Sequence, residues 1–267
     1  MIRSIVRLAV AGLLLLTTAG CDGGDSHAQS GCSVGTLRGA YIYAQDGFTV
    51  SGETASQRTP FAQAGREIFN GDGTMSGVGT ANFNGAVTRL TYEGTYSVAA
   101  DCTGSVTFTD GDGIVSHFDI AIVDGGAEFG FVQTDAGIVT AAFERRRTAS
   151  QARCSLATLR GNYVYAGDGF NVVGGGSTER TPFATAGREV YSGDGTITGI
   201  DTTSTNGVAV RSTYTATYTV DADCSGTYAY DNDPANPYEL FTDASGAEFA
   251  YVATGANRVA AGYERRR

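Results

Sequence analysis

The sequence predicts an all-β protein: two tandem antiparallel up-and-down β-barrels of about eight strands, each tied by one disulfide. Three observations carry this. The chain is written twice, "CSVGTLRGAYIYAQDGF" from Cys32 returning as "CSLATLRGNYVYAGDGF" from Cys154 with 12 of 17 positions identical. The composition suits short strands and tight turns, with 38 Gly against 4 Pro, no Trp, and Thr, Val, Tyr and Phe filling the intervals. Of the five cysteines, four form two repeat-related pairs, Cys32 with Cys102 and Cys154 with Cys224.

Residues 1–20 read as a signal peptide. Arg3 and Arg7 precede an apolar run, Ile5 to Leu16, that is too short to span a bilayer. The run ends in "TTAGC", which resembles a bacterial lipobox, although Thr18 stands where leucine is usual. On that reading Cys21, the unpaired cysteine, becomes a lipidated N-terminus and the membrane is a partner through the lipid. The alternative is an ordinary secretory signal cut nearby. Residues 21–31, small and polar, read as a flexible tether.

Residues 32–147 are the first repeat, 148–153 a linker ("TASQAR") and 154–267 the second repeat. The offset between copies is 122 residues through Cys102 and 120 by Glu128, so two residues are lost near 110–117, in a surface loop. Within the first copy the strand candidates lie near 38–45, 60–69, 74–83, 86–98, 103–109, 115–123, 127–133 and 138–145. Between them stand "NGDG", "NG", "GDG", "DGG" and "DAG", the turn chemistry that supplies the positive φ of hairpins. Sequential hairpins close most economically into a barrel, which removes exposed edges. An immunoglobulin-like sandwich would carry its cysteines mid-strand around a core Trp. A membrane barrel would carry an aromatic-girdled apolar band. A disulfide within each repeat closes a long loop, stabilises by about 4 kcal/mol in the chain-entropy model, and requires an oxidising compartment.

The order Cys32, Leu37-x-Gly39-x-Tyr41, an "NGDG" turn, "GTYSVAADCTGS", "IVDGGAEFGFVQTD" and a basic terminus resembles a broad set of uncharacterised exported bacterial proteins. These look like small calycin-type barrels, distantly similar in layout to allene oxide cyclase. The resemblance implies a fold and carries over no catalytic residue.

The formal net charge is −10, and because Arg3 and Arg7 fall in the leader the remainder is more acidic still. Nucleic acid is not an expected partner. No lysine is present, which excludes Schiff-base chemistry. The two histidines, His27 in the tether and His117 where the second copy has Pro237, offer no triad and no metal set. No cofactor and no metal are expected, and the Asp-Gly clusters read as turns rather than calcium loops.

Strand alternation leaves charges to place. If Phe61 and Phe69 point inward, so do Glu67 and Gln63; if Ala64 and Ile68 do, Arg66 points inward instead. An inward charge calls for a matching Arg–Glu contact. A pocket on this reading is lined by Tyr41, Tyr43, Phe61, Arg66, Glu67 and Glu128, and in the second copy by Tyr163, Tyr165, Phe183, Arg188, Glu189 and Glu248. The alternative is a lumen filled by packed rings. The closing "ERRR" reads as a solvated basic edge, or as an anchor for phosphate or carboxylate groups.

Together these features predict a lipid-anchored lipoprotein of the bacterial periplasm or cell envelope. It acts as a binding or interaction protein, for a small hydrophobic ligand or an envelope component, with no recognisable catalytic constellation. A cyclase or isomerase working on a hydrophobic substrate in the lumen is the enzymatic alternative. It requires an open apolar cavity holding Glu67 or Glu128 with a raised pKa. A structural envelope surface protein is the third reading.

Overall fold

The computed structural model describes residues 31–52, 57–147, 153–173 and 178–267. The leader, Cys21, the tether up to residue 30 and most of the linker lie outside the described residues. The first barrel is β1 (Arg38–Ser51), β2 (Gln57–Asn70), β3 (Thr74–Phe83), β4 (Ala86–Val98), β5 (Thr103–Asp110), β6 (Val115–Val123), β7 (Glu128–Gln133) and β8 (Ile138–Arg146). The second is β9 (Arg160–Val172), β10 (Arg180–Ser192), β11 (Thr196–Thr205), β12 (Val208–Val220), β13 (Ser225–Tyr230), β14 (Tyr238–Phe241), β15 (Glu248–Ala253) and β16 (Arg258–Arg266). Each set closes on itself, every neighbour antiparallel.

The first hairpin is longer than its sequence suggests. Asp46-Gly47 reads as a place to stop, yet β1 runs on to Ser51. Gly47 is there for close approach: a Cβ would run into the Val139 carbonyl oxygen and the side chain of Thr140 on β8.

One end of each barrel is plugged. Leu37 and Leu159 are fully buried there. Tyr41, Phe69, Tyr96 and Phe129 meet above Leu37 at ring separations of 5.0–5.5 Å, mostly edge to face. Tyr41 donates to the Gly126 carbonyl at 2.6 Å, and the Tyr96 hydroxyl stands 2.8 Å from the Leu37 carbonyl. The disulfides Cys32–Cys102 and Cys154–Cys224 staple the chain's entry to this closed end. Such bonds form in an oxidising compartment, so the protein is extracytoplasmic.

The two barrels form one compact unit. The outer face of β1 and β2, built from Ile42, Ala44, Ala62 and Ala64, is buried against Phe241, Ala250, Val252, Val259 and Ala261 on β14–β16. Five small alanines, Ala44, Ala62, Ala64, Ala250 and Ala261, let the sheets approach closely, and polar contacts ring the patch. Glu239 accepts from Thr80 and Arg89, both at 2.6 Å. Asn82 donates to the carbonyls of Ala253 and Arg258, both at 2.8 Å. Both open ends face the same way, because Arg180 beside the second mouth bonds Asn84 and Arg58 beside the first.

Candidate functional site

Inside the first barrel the alternation of β2 turns Phe61, Gln63, Glu67 and Phe69 inward, and Ala62, Ala64 and Arg66 outward. Glu67 is buried at mid-height. Tyr92 on β4 donates to it at 2.7 Å, and the Tyr43 hydroxyl lies 3.2 Å from that of Tyr92. The Tyr92 ring reaches this depth because it lies over Gly77, where a Cβ would overlap the ring. The partner of Glu67 inside the lumen is a second carboxyl, Glu144 on β8, on the other side of β1 and also buried. No arginine pairs with either among the described residues. The sequence expectation of an inward Arg–Glu contact therefore fails. The barrel neutralises its inward charge by sharing a proton between two carboxyls.

Burial pushes Glu67 up to about 7, with the Tyr92 hydrogen bond holding it down. Burial first and the Glu67 charge second push Glu144 up well beyond the carboxylate range. Its Oε2 accepts no hydrogen bond in the charged form, which a proton held between the two carboxyls remedies. Burial also raises Tyr43 and Tyr92, so both remain protonated donors.

The second barrel repeats the arrangement. Tyr214 donates to Glu189 at 2.8 Å and meets the Tyr165 hydroxyl at 2.8 Å, over Gly199 as Tyr92 lies over Gly77. Glu264 faces Glu189 from β16, and burial raises both.

The barrels differ at the mouth. In the first, Gln45 donates to Gln63, its neighbour on the adjacent strand, at 2.7 Å, and Thr140 donates to Gln45. Phe61 packs on Phe83, with ring centres 5.6 Å apart. The space left around Glu67 and Glu144 is about 20 Å³, room for about one water. In the second, Gly167 and Thr185 replace the glutamine bridge. Gly79, Ala81, Leu90, Phe108, Phe118 and Ile138 give way to Asp201, Thr203, Ser212, Tyr230, Tyr238 and Arg258. The result is a polar cup of about 240 Å³ lined by these side chains together with Tyr165, Phe183, Thr185 and Tyr214. Asp201 accepts from Ser212 at 2.9 Å and from Thr203 at 3.1 Å, and lies 3.4 Å from Thr185 and Tyr165. Among the described residues no arginine pairs with it. Arg258 crosses the rim to Asp233 at 3.1 Å and donates to Tyr238 at 3.1 Å.

Of the residues singled out from sequence, Tyr43, Glu67, Tyr165 and Glu189 line the lumen, Phe61 closes the first mouth and Phe183 lines the cup. Tyr41 and Tyr163 belong to the plug; Tyr163 donates to the Gly246 carbonyl at 2.5 Å. Burial pushes Tyr163 up to about 12. Four residues lie outside the barrels and correct the expectation. Arg66 points outward to Asp223, and Arg188 is exposed. Glu128 is on the outer face of β7, accepting from Arg145 at 2.6 Å, because Phe129 and Phe131 take the inward positions. Glu248 is held between the barrels by Arg147 at 2.7 Å and Arg265 at 2.6 Å.

The sequence reading missed Glu144, Glu264, Tyr92, Tyr214 and Asp201. The signal was in "ERRR". Period-two alternation divides that string between two faces. Glu144 enters the lumen, Arg145 meets Glu128 outside, Arg146 donates to Tyr41 at 2.9 Å in the plug, and Arg147 crosses to Glu248. At the end of the chain the same string buries Glu264 and leaves Arg265, Arg266 and Arg267 exposed, with Arg265 reaching Glu248 and Arg266 the Ser245 carbonyl.

No family model matches the chain, and no curated protein matches it. Solved structures with some likeness include a protein of unknown function from the DUF3598 family of Nostoc punctiforme. It shares 11% identity, over 87% of this chain and 97% of that one, with a TM-score of 0.24. Another is the isotype 1 transferrin binding protein B from serogroup B Neisseria meningitidis, at 9% identity over 87% of this chain and 75% of that one, with a TM-score of 0.28.

Proposed function

We propose that this is an extracytoplasmic binding protein, lipid-anchored through Cys21 to the bacterial cell envelope and built from calycin-like barrels. Its second barrel holds a small, hydroxyl-rich ligand of about one sugar unit. The observation that supports this reading most is the replacement of six apolar or small positions of the first mouth by polar ones around a single cup. Tyrosine faces supply stacking surface for a sugar ring. Asp201 supplies an acceptor held by neutral donors, with no cation competing for it among the described residues. The cup is smaller than typical drug-sized pockets, which restricts it to a small ligand. The acidic body argues against nucleic acid as partner.

Two features weigh against chemistry on an apolar substrate. The cavity beside Glu67 and Glu144 is of water size, and the cup in the second barrel is polar. The raised pKa of Glu67 has a structural account in the shared proton.

Titration of the protein with a panel of monosaccharides, followed by NMR line shifts, tests the proposal. Binding that is lost at least tenfold in Asp201→Asn and Tyr230→Phe, and unchanged in Gln63→Ala of the first barrel, supports it. No binding at millimolar sugar, or binding indifferent to both cup variants, overturns it.

A further inference from the structure

The contact between the two barrels is side by side and heterologous, one face of the first copy against a different face of the second. The β1–β3 face of the first copy meets the β14–β16 face of the second. Because the copies are repeats, the molecule carries each of these faces a second time, uncovered. On the second barrel, Ile42, Ala44, Ala62, Ala64 and Thr80 are matched by Val164, Ala166, Ala184, Ala186 and Thr202. The first five are buried and the second five exposed. On the first barrel, Val252, Val259, Ala261 and Tyr263 are matched by Val132, Val139, Ala141 and Phe143. The two valines are fully or almost fully buried in the second copy, whereas Val132 is 45%, Val139 57% and Phe143 50% exposed.

The charges are matched as well. Arg66 meets Asp223 at 3.3 Å and Arg89 meets Glu239 at 2.6 Å within the chain. Their counterparts, Arg188 with Asp101 and Arg211 with Asp119, stand on the two uncovered faces. A groove of about 570 Å³ lies open beside Arg188, at the place where Arg66 of the first barrel receives the Asp223 turn.

We propose that the β9–β11 face of one molecule docks on the β6–β8 face of a second copy, so that the interface between barrels continues from chain to chain. A heterologous contact of this kind builds rings or open rows, not closed two-fold dimers. Differences between the copies make it weaker than the internal contact. Asn82 becomes Ser204, which cannot span two carbonyls, and Tyr263 becomes Phe143, which lacks the hydroxyl that bonds Ala44. The association is therefore reversible.

Sedimentation velocity of the full chain from micromolar to millimolar concentration tests this. The unmodified protein is expected to give a concentration-dependent series of dimers and larger species. Ala186→Arg blocks one face and Val139→Arg the other. Each variant alone is expected to stay monomeric, and their mixture to form a one-to-one dimer and nothing larger, because each retains the face the other lacks. Phe143→Tyr, which restores the missing hydroxyl, is expected to tighten association severalfold. Both blocking positions are exposed, so melting curves matching the parent confirm folding. A monomer at every concentration, or a dimer formed by either blocked variant alone, overturns the proposal. So does a Phe143→Tyr protein that associates no more tightly.

Discussion

The hydroxyl of Tyr263, on the last strand of the second barrel, accepts the backbone N–H of Ala44 in the first barrel at 2.9 Å. It donates in turn to the carbonyl of Phe143. These two groups face each other across the stretch where β1 and β8 stop pairing, between Tyr43 and Gly47. A side chain of one barrel thus completes the hydrogen bonding of the other. Tyr263→Phe leaves a buried N–H and a carbonyl without partners. It is expected to lower stability by about 1–3 kcal/mol. Chemical denaturation read by tyrosine fluorescence checks the value, and the two barrels are expected to unfold in a single transition.

The shared proton sets the pH dependence. A free glutamate titrates near 4.5, and folded Glu67 near 7. Between those values the native state keeps a proton that the unfolded chain has lost. The contribution of Glu67 is therefore full below about pH 4.5 and is lost as pH rises through 7, on the order of 3 kcal/mol, and Glu189, also raised by burial, acts in the same direction in the second barrel. Thermal midpoints measured at pH 5 and pH 8 are expected to differ in that sense. Glu144→Gln combined with Glu264→Gln supplies a permanent donor to each remaining carboxylate and is expected to flatten the profile.

Gly77 has a specific reason to be glycine. A Cβ there overlaps the Tyr92 ring and hydroxyl. Gly77→Ala forces Tyr92 off Glu67 and leaves a buried carboxyl without its donor. A loss of about 2–4 kcal/mol in urea denaturation is expected, and Gly199→Ala is expected to act the same way through Tyr214.

The disulfides each close a 70-residue separation. Replacing Cys32 and Cys102 together with serine is expected to cost about 4 kcal/mol. Differential scanning calorimetry of the oxidised protein and the double variant measures it.

Much of this fold was legible in the sequence because turns and strand alternation are local. The hairpin joints "NGDG" and "NG" placed β2 to β4 almost to the residue. The inward position of Glu67 followed from Phe61 and Phe69. The mate of Glu67 did not, because Tyr43 opposite Glu144 is a register between the first and last strands. Register across a barrel seam is fixed by closure, which no local pattern encodes. The alternation rule also assumed one wet face per strand. Ile42, Ala44, Ala62 and Ala64 are dry because another barrel covers them, and small residues in a strand give no sign of what lies beyond. The polar cup was visible in principle, in the positions where the two copies disagree. The copies agree at the plug and diverge at the mouth, so the repeat that reveals the fold is silent about the cup.

The described chain enters at the plugged end, where Cys32 donates its N–H to the Ala100 carbonyl beside the first disulfide. The cup opens at the opposite end. Chain entry and ligand cup therefore stand at opposite poles of the barrel pair, so a group joined at Gly31 leaves the mouth of the second barrel unobstructed.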